Sequence, residues 1–142
     1  MTFDLQRFVD AQNDRDTYRR ALAELRAGLK TSHWMWFVFP QRAGLGRSET
    51  SRRYAIGSWQ EARAYVEHPV LGPRLVESSE ALLTHRDTTA SEILGEIDAL
   101  KLHSSMTLFA AVAPEQPVFQ RVLDRFYAGE PDPAGCFAAG EP

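Results

Sequence analysis

The chain has 142 residues, is 44% hydrophobic and 25% charged, and carries a formal net charge of −3 at neutral pH. These are the dimensions of one globular domain able to bury a real core, and the small negative charge excludes a global electrostatic pull toward nucleic acid. A lone cysteine, Cys136, excludes an internal disulfide, and the longest apolar run of six residues falls far short of a membrane span.

The chain begins Met-Thr-Phe-Asp with no basic-then-apolar leader, so a cytoplasmic location is expected. Asp4 is a candidate N-cap for a helix carrying Leu5, Phe8 and Val9, and the polar break Asn13-Asp14-Arg15-Asp16 offers the next cap. Tyr18, Ala21, Leu22, Leu25 and Leu29 then follow as one helical stripe, with Arg19, Arg20, Glu24 and Arg26 on the other faces and Gly28 weakening the end. The first 29 residues predict an interrupted helix or a helix pair.

Lys30-Thr31-Ser32-His33-Trp34-Met35-Trp36-Phe37-Val38-Phe39-Pro40-Gln41 is the stretch around which the rest is organised. Trp34 to Phe39 is continuously apolar, so both of its sides must meet protein. This is also the one segment that could be extended. Two tryptophans at i and i+2 point apart in a strand and about 200° apart in a helix. They serve different sides of the core, or one of them lines a pocket. Ser32, His33 and Gln41 lie where this stretch surfaces. The Arg42–Arg53 segment follows as a glycine-punctuated loop with four arginines. Its glycines, Gly44 and Gly46, allow backbone N–H groups to approach an anion, and Arg47 and Ser48 add donors. It matches neither a Walker A loop nor a dinucleotide fingerprint.

Ser58-Trp59-Gln60-Glu61 fits a capping box that opens a helix through Val66. His68-Pro69 ends that helix, with His68 capping or orienting the corner and Pro69 able to open the next. Leu71, Leu75, Val76, Leu82 and Leu83 give the buried face of that next helix. Thr89-Ala90-Ser91-Glu92 is a second capping box. It starts a helical segment to about residue 112, broken at Gly95 and stopped by Pro114. A last helix runs from Pro117 to Gly129, and the residues from Glu130 onward are expected to fray.

Of sixteen basic residues only Lys30 and Lys101 are lysine. Chance suffices for Lys30. Lys101 lies in the unusual stretch Asp98-Ala99-Leu100-Lys101-Leu102-His103-Ser104-Ser105, where Asp98, Lys101 and Ser105 share one helical face and Ser104 sits one residue round. Such a polar face on an otherwise apolar helix is either solvent-facing or pocket-lining. As a pocket, it offers Asp98 as a base or orienting carboxylate and Lys101 as an anion holder. The four histidines are dispersed, so no local metal site is implied, and no cofactor is expected.

The chain resembles the bacterial and fungal family known as domain of unknown function 1810. The likeness is carried by Phe3-Asp4-Leu5-Gln6-Arg7-Phe8, Ser32 to Gln41, Gly44-Leu45-Gly46, Tyr54-Ala55-Ile56, His68 to Gly72, Asp98 to Leu102, Ser104 to Phe109 and Val122 to Tyr127. It implies a compact, mostly helical single domain and no particular activity.

The expected fold is therefore all-α, with six or seven helices around the Trp/Phe-rich segment, a domain over 1–129 and a tail over 130–142. The expected function is binding of an anionic small molecule, a nucleotide or phosphorylated sugar derivative, with hydrolysis or transfer as the reaction if there is one. Asp98, Lys101 and His33 are the candidate catalytic groups. Trp34, Trp36, Gln41, Gly44, Gly46, Arg47, Ser48, Ser104 and Ser105 are the candidate ligand contacts. The alternative is a non-catalytic protein-interaction module. The remaining expectations are a monomer or weak homo-oligomer with no specific nucleic acid and no membrane as partner.

Overall fold

In the computed structural model, which describes residues 3–137, helices form where apolar periodicity and capping residues agree. The first pair is α1 (Gln6–Asn13) and α2 (Thr17–Ala27), joined by a single 3-10 turn over Asp14–Asp16. Arg15 and Asp16 adopt left-handed backbone there, at φ 51° and 58°, so the polar break turns the chain sharply. Asp4 does not cap α1. That helix opens at Leu5 without a side-chain cap, and the Asp4 carbonyl accepts from the Arg7 guanidinium instead. On α2 the stripe of Tyr18, Ala21, Leu22 and Leu25 is buried, whereas Leu29 is exposed. The reason is Gly28. Its φ of 82°, accessible to glycine at little cost, ends the helix before Leu29 can join the stripe.

The central stretch becomes one helical turn, α3 (Met35–Val38). After it come α4 (Glu49–Arg53), α5 (Trp59–Glu67), α6 (Leu71–Leu83), α7 (Ala90–Leu94), α8 (Glu96–Val112) and α9 (Val118–Tyr127). Six of these helices have eight residues or more, and α3, α4 and α7 are single turns. No strand forms among the described residues; a lone parallel bridge between Arg42 and Ile56 ties the loop after α3 to the turn before α5.

The caps follow the sequence closely. Thr89 and Glu92 complete a reciprocal capping box on α7. Ser58 accepts from the Glu61 N–H, but the Glu61 carboxylate turns to the Gly57 N–H and to Arg7. His68 Nδ1 accepts from the N–H groups of Val70 and Leu71, so this histidine caps α6, and Pro69 precedes the helix rather than starting it.

The buried side chains form one contiguous core. Trp34 and Phe39 of the central stretch lie in it, and an aromatic chain runs from Phe8 to Tyr65, Phe109 and Phe119 with centroid spacings of 5.1, 5.5 and 5.8 Å. Helix α8 threads this core against α5, α7 and α9. Its first two turns leave Ile97 and Leu100 exposed.

The residues after Gly129, expected to fray, make definite contacts as far as they are described. The Asp132 N–H donates to Thr107 Oγ1 at 2.9 Å, Ser104 Oγ donates to the Asp132 carboxylate at 2.5 Å, and Arg42 Nε donates to the Ala134 carbonyl at 2.6 Å. Short polar side chains on α8 supply partners that the tail's own sequence does not advertise. The final part of that expectation, 138–142, lies outside the described residues.

Candidate functional site

The site is built from the chain leaving α2. Glu24, on the last turn of that helix, gathers the backbone that follows. Its carboxylate accepts from the N–H groups of Thr31 (2.8 Å) and Ser32 (3.1 Å), from Ser32 Oγ (2.5 Å) and from the Trp34 indole N–H (2.9 Å). Partial burial alone would raise the Glu24 pKa. The Ser32, Trp34 and backbone donors outweigh it and hold the carboxyl at about 2, so it is ionised at neutral pH. The Lys30 N–H meanwhile donates to the Ile93 carbonyl at 2.7 Å, which pins the same loop to the end of α7.

That anchoring carries the Lys30 side chain to the start of α8. Lys30 Nζ lies 3.0 Å from one oxygen of Asp98, and Lys101 Nζ lies 3.1 Å from the other. Both lysines of the protein thus converge on a single carboxylate, with little of any of the three side chains exposed. Burial opposes ionisation of Asp98, but the two ammonium groups prevail and lower its pKa below the ordinary carboxylate range. Each ammonium also faces an indole ring, Lys30 over Trp34 at 5.1 Å and Lys101 over Trp36 at 4.1 Å.

These groups line a hollow of about 150 Å³, closed by His33, Met35, Phe37 and Thr50. A second hollow of about 200 Å³ also has Trp36 in its lining, with Tyr54, Ala43, Ala55, Gly46, Gln41, Gly44, Arg42, Ser51 and Arg52. Gly46 is what lets the loop close down here. A Cβ at that position would lie 2.5 Å from Ser51 Cβ and 3.2 Å from Trp36 Cη2, so any larger residue would push the loop off the ring.

The structure thus gathers Asp98, Lys101, His33, Trp34 and Trp36 around the first hollow, and Trp36, Gln41, Gly44 and Gly46 around the second. Arg47 is exposed and lines neither. Ser48 caps α4, its hydroxyl accepting from the Ser51 N–H at 3.1 Å. Ser104 is engaged by Asp132. Ser105 is fully buried, and its hydroxyl meets no partner among the described residues. Away from the hollows, His103 Nε2 contacts the Glu130 carbonyl and its ring stacks on Tyr127 at 4.1 Å. No cluster of side chains able to hold a metal occurs among the described residues.

Three contributors were not legible as site residues: Lys30, Thr50 and Glu24. For Lys30 a signal existed, since a chain that otherwise uses arginine keeps exactly one other lysine. Glu24 carried none. A glutamate among arginines on an exposed helix face looks like surface, and only the return of the chain after Gly28 gives it four donors.

A family described as "Protein of unknown function (DUF1810)" matches residues 2–137. Among solved structures, the chain is similar to the crystal structure of the conserved hypothetical protein Rv1873 from Mycobacterium tuberculosis. The identity is 48%, with 92% of each chain covered and a TM-score of 0.89. No curated protein matches significantly.

Proposed function

We propose, for a chain that belongs to the DUF1810 family of proteins of unknown function, that the hollow between Trp34, Trp36 and the Lys30–Asp98–Lys101 cluster binds an anionic small molecule. The observation that carries this reading is the convergence of two ammonium groups on one carboxylate at the edge of an indole-walled hollow. The cluster has a net charge of +1 and is sheltered from bulk water, where electrostatic attraction is least screened. An arriving phosphate or carboxylate can accept from both lysines, while Asp98 holds them in place. Lysine suits this role as a compact donor with rotational freedom.

Asp98 itself is better suited to orienting than to proton abstraction, because a carboxylate whose pKa is lowered by two ammoniums is a weak base. Of the titratable groups lining this hollow, His33 alone is outside the ion-pair cluster. If hydrolysis or transfer occurs at this hollow, His33 is the group positioned to move a proton.

The test is a thermal-shift and calorimetric screen with nucleotides, sugar phosphates and inorganic pyrophosphate. At least one should stabilise the protein, and Lys101→Met and Lys30→Met should each abolish that stabilisation relative to their own ligand-free melting temperatures. Stabilisation that survives both substitutions would place the anion elsewhere.

The interaction-module reading draws on the exposed large apolar side chains, Ile97 and Leu100 on α8 at 72% and 68% exposure, with Leu29 and Trp59 elsewhere. A pair at i, i+3 on one helix is smaller than the contiguous apolar patch of several hundred Å² that marks a protein interface, so the small-molecule reading is preferred.

A further inference from the structure

Trp36 is shared by both hollows, and the two differ in the rest of their lining. The first hollow holds the lysines. The second hollow is framed by Trp36, Tyr54, Ala43 and Ala55, with Arg42 and Arg52 also in its lining. Neither hollow alone, at about 150 and 200 Å³, reaches the roughly 300 Å³ at which small-molecule pockets begin; their combined volume exceeds it.

Two polar groups in this region are unspent. Gln41 is more than nine-tenths buried, lines the second hollow, and its side-chain amide bonds to no described residue; only its backbone carbonyl is used, by the Ile56 N–H at 2.8 Å. The Trp36 indole N–H likewise donates to no described residue. An amide free of described partners, offering both a donor and an acceptor beside aromatic walls, suits the hydrogen-bonding edge of a flat heterocycle.

Building on the anion reading, we infer that the two hollows form one cleft for a nucleoside phosphate. The phosphate lies against Lys30 and Lys101. The base enters the hollow beyond Trp36, with the Gln41 amide reading its edge. Gly46 and Ser51 set the depth of the base slot, and Thr50, at the rim of the first hollow, faces the connecting sugar.

Calorimetry with AMP, ADP, ribose 5-phosphate and pyrophosphate tests this on the whole chain. AMP or ADP should bind at least about tenfold more tightly than ribose 5-phosphate. Gln41→Leu, which keeps the volume, and Gly46→Ala, which presses on Ser51 and Trp36, should each reduce that advantage to about twofold or less while pyrophosphate binding is unchanged. Lys101→Met should weaken every probe. Equal affinity for AMP, ADP and ribose 5-phosphate in the unaltered protein would overturn the inference, as would a nucleotide advantage that persists in Gln41→Leu. In either case lysine-dependent binding of pyrophosphate would leave the anion reading standing. Failure of all four probes to bind would remove both.

Discussion

Trp34 and Trp36 are two residues apart and have opposite fates. Trp34 is 1% exposed, and its N–H is taken by Glu24 at 2.9 Å. Trp36 remains part-exposed between two hollows, and its N–H donates to no described residue. The difference lies in what each region offers the ring. On the Trp34 side the Glu24 carboxylate takes the indole N–H and the core buries nearly all of the ring, although its edge still reaches the first hollow. On the Trp36 side no described carboxylate takes the N–H, the ring stays part-exposed, and at Gly46 there is no side chain to press on its edge. One tryptophan is committed to the fold, while the other keeps a part-exposed ring and an N–H with no described partner.

The comparison breaks most directly at Trp34. Trp34→Ala should cost about 3–5 kcal/mol in urea unfolding, because the change opens a cavity in a packed core. A loss below about 1 kcal/mol would mean the two rings are not different in kind. Next in size, Asp98→Asn leaves two partly buried ammonium groups without their shared partner. A destabilisation of about 1–3 kcal/mol is expected, detectable by the same unfolding measurement. Glu24→Gln should cost about 1–2 kcal/mol through weakened hydrogen bonds to Ser32 and Trp34, with an altered Trp34 emission spectrum as its signature.

The Glu24 carboxyl also sets a pH window. Its pKa is lowered from 4.5 to about 2, so its contribution is complete above 4.5 and lost as pH falls from there toward 2. Acid titration of the melting temperature should show this loss, and Glu24→Gln should flatten it over that range. The smallest stability effect belongs to Trp36. Trp36→Leu should change unfolding by under about 1.5 kcal/mol while removing most anion-dependent stabilisation in the thermal-shift screen. The sharpest form of the comparison is therefore a stability loss at Trp34 set against a binding loss at Trp36.

Much of this architecture is legible in the residues. The helices carrying Tyr18 to Leu25, Leu71 to Leu82 and Val118 to Phe126 follow from apolar spacing. The break at Gly95 and the capping box of Thr89 and Glu92 are local signals, and local signals survive folding. Asp98 and Lys101 share a helical face by arithmetic alone. Their third member, Lys30, is 68 positions from Asp98, and no periodicity links residues so far apart. Ser104, on the neighbouring face, bonds to the tail rather than to the hollow because Asp132 reaches it first. Leu29, Ile97 and Leu100 fit apolar patterns yet face solvent. Pattern counts residues on a face but does not say whether a neighbour arrives to cover it.

The sequence by itself determined the all-helical class, most element positions and the Trp-rich nucleus, because helix periodicity, capping and breakers act over a few residues. Only the tertiary structure decided which tryptophan is core and which is wall. It alone showed that both lysines meet one aspartate, and that Glu24 is a staple rather than surface. Those outcomes depend on where distant segments return, through Gly28 and Gly46 and the bonds they allow, and long-range return is set by packing of the whole core rather than by any local pattern.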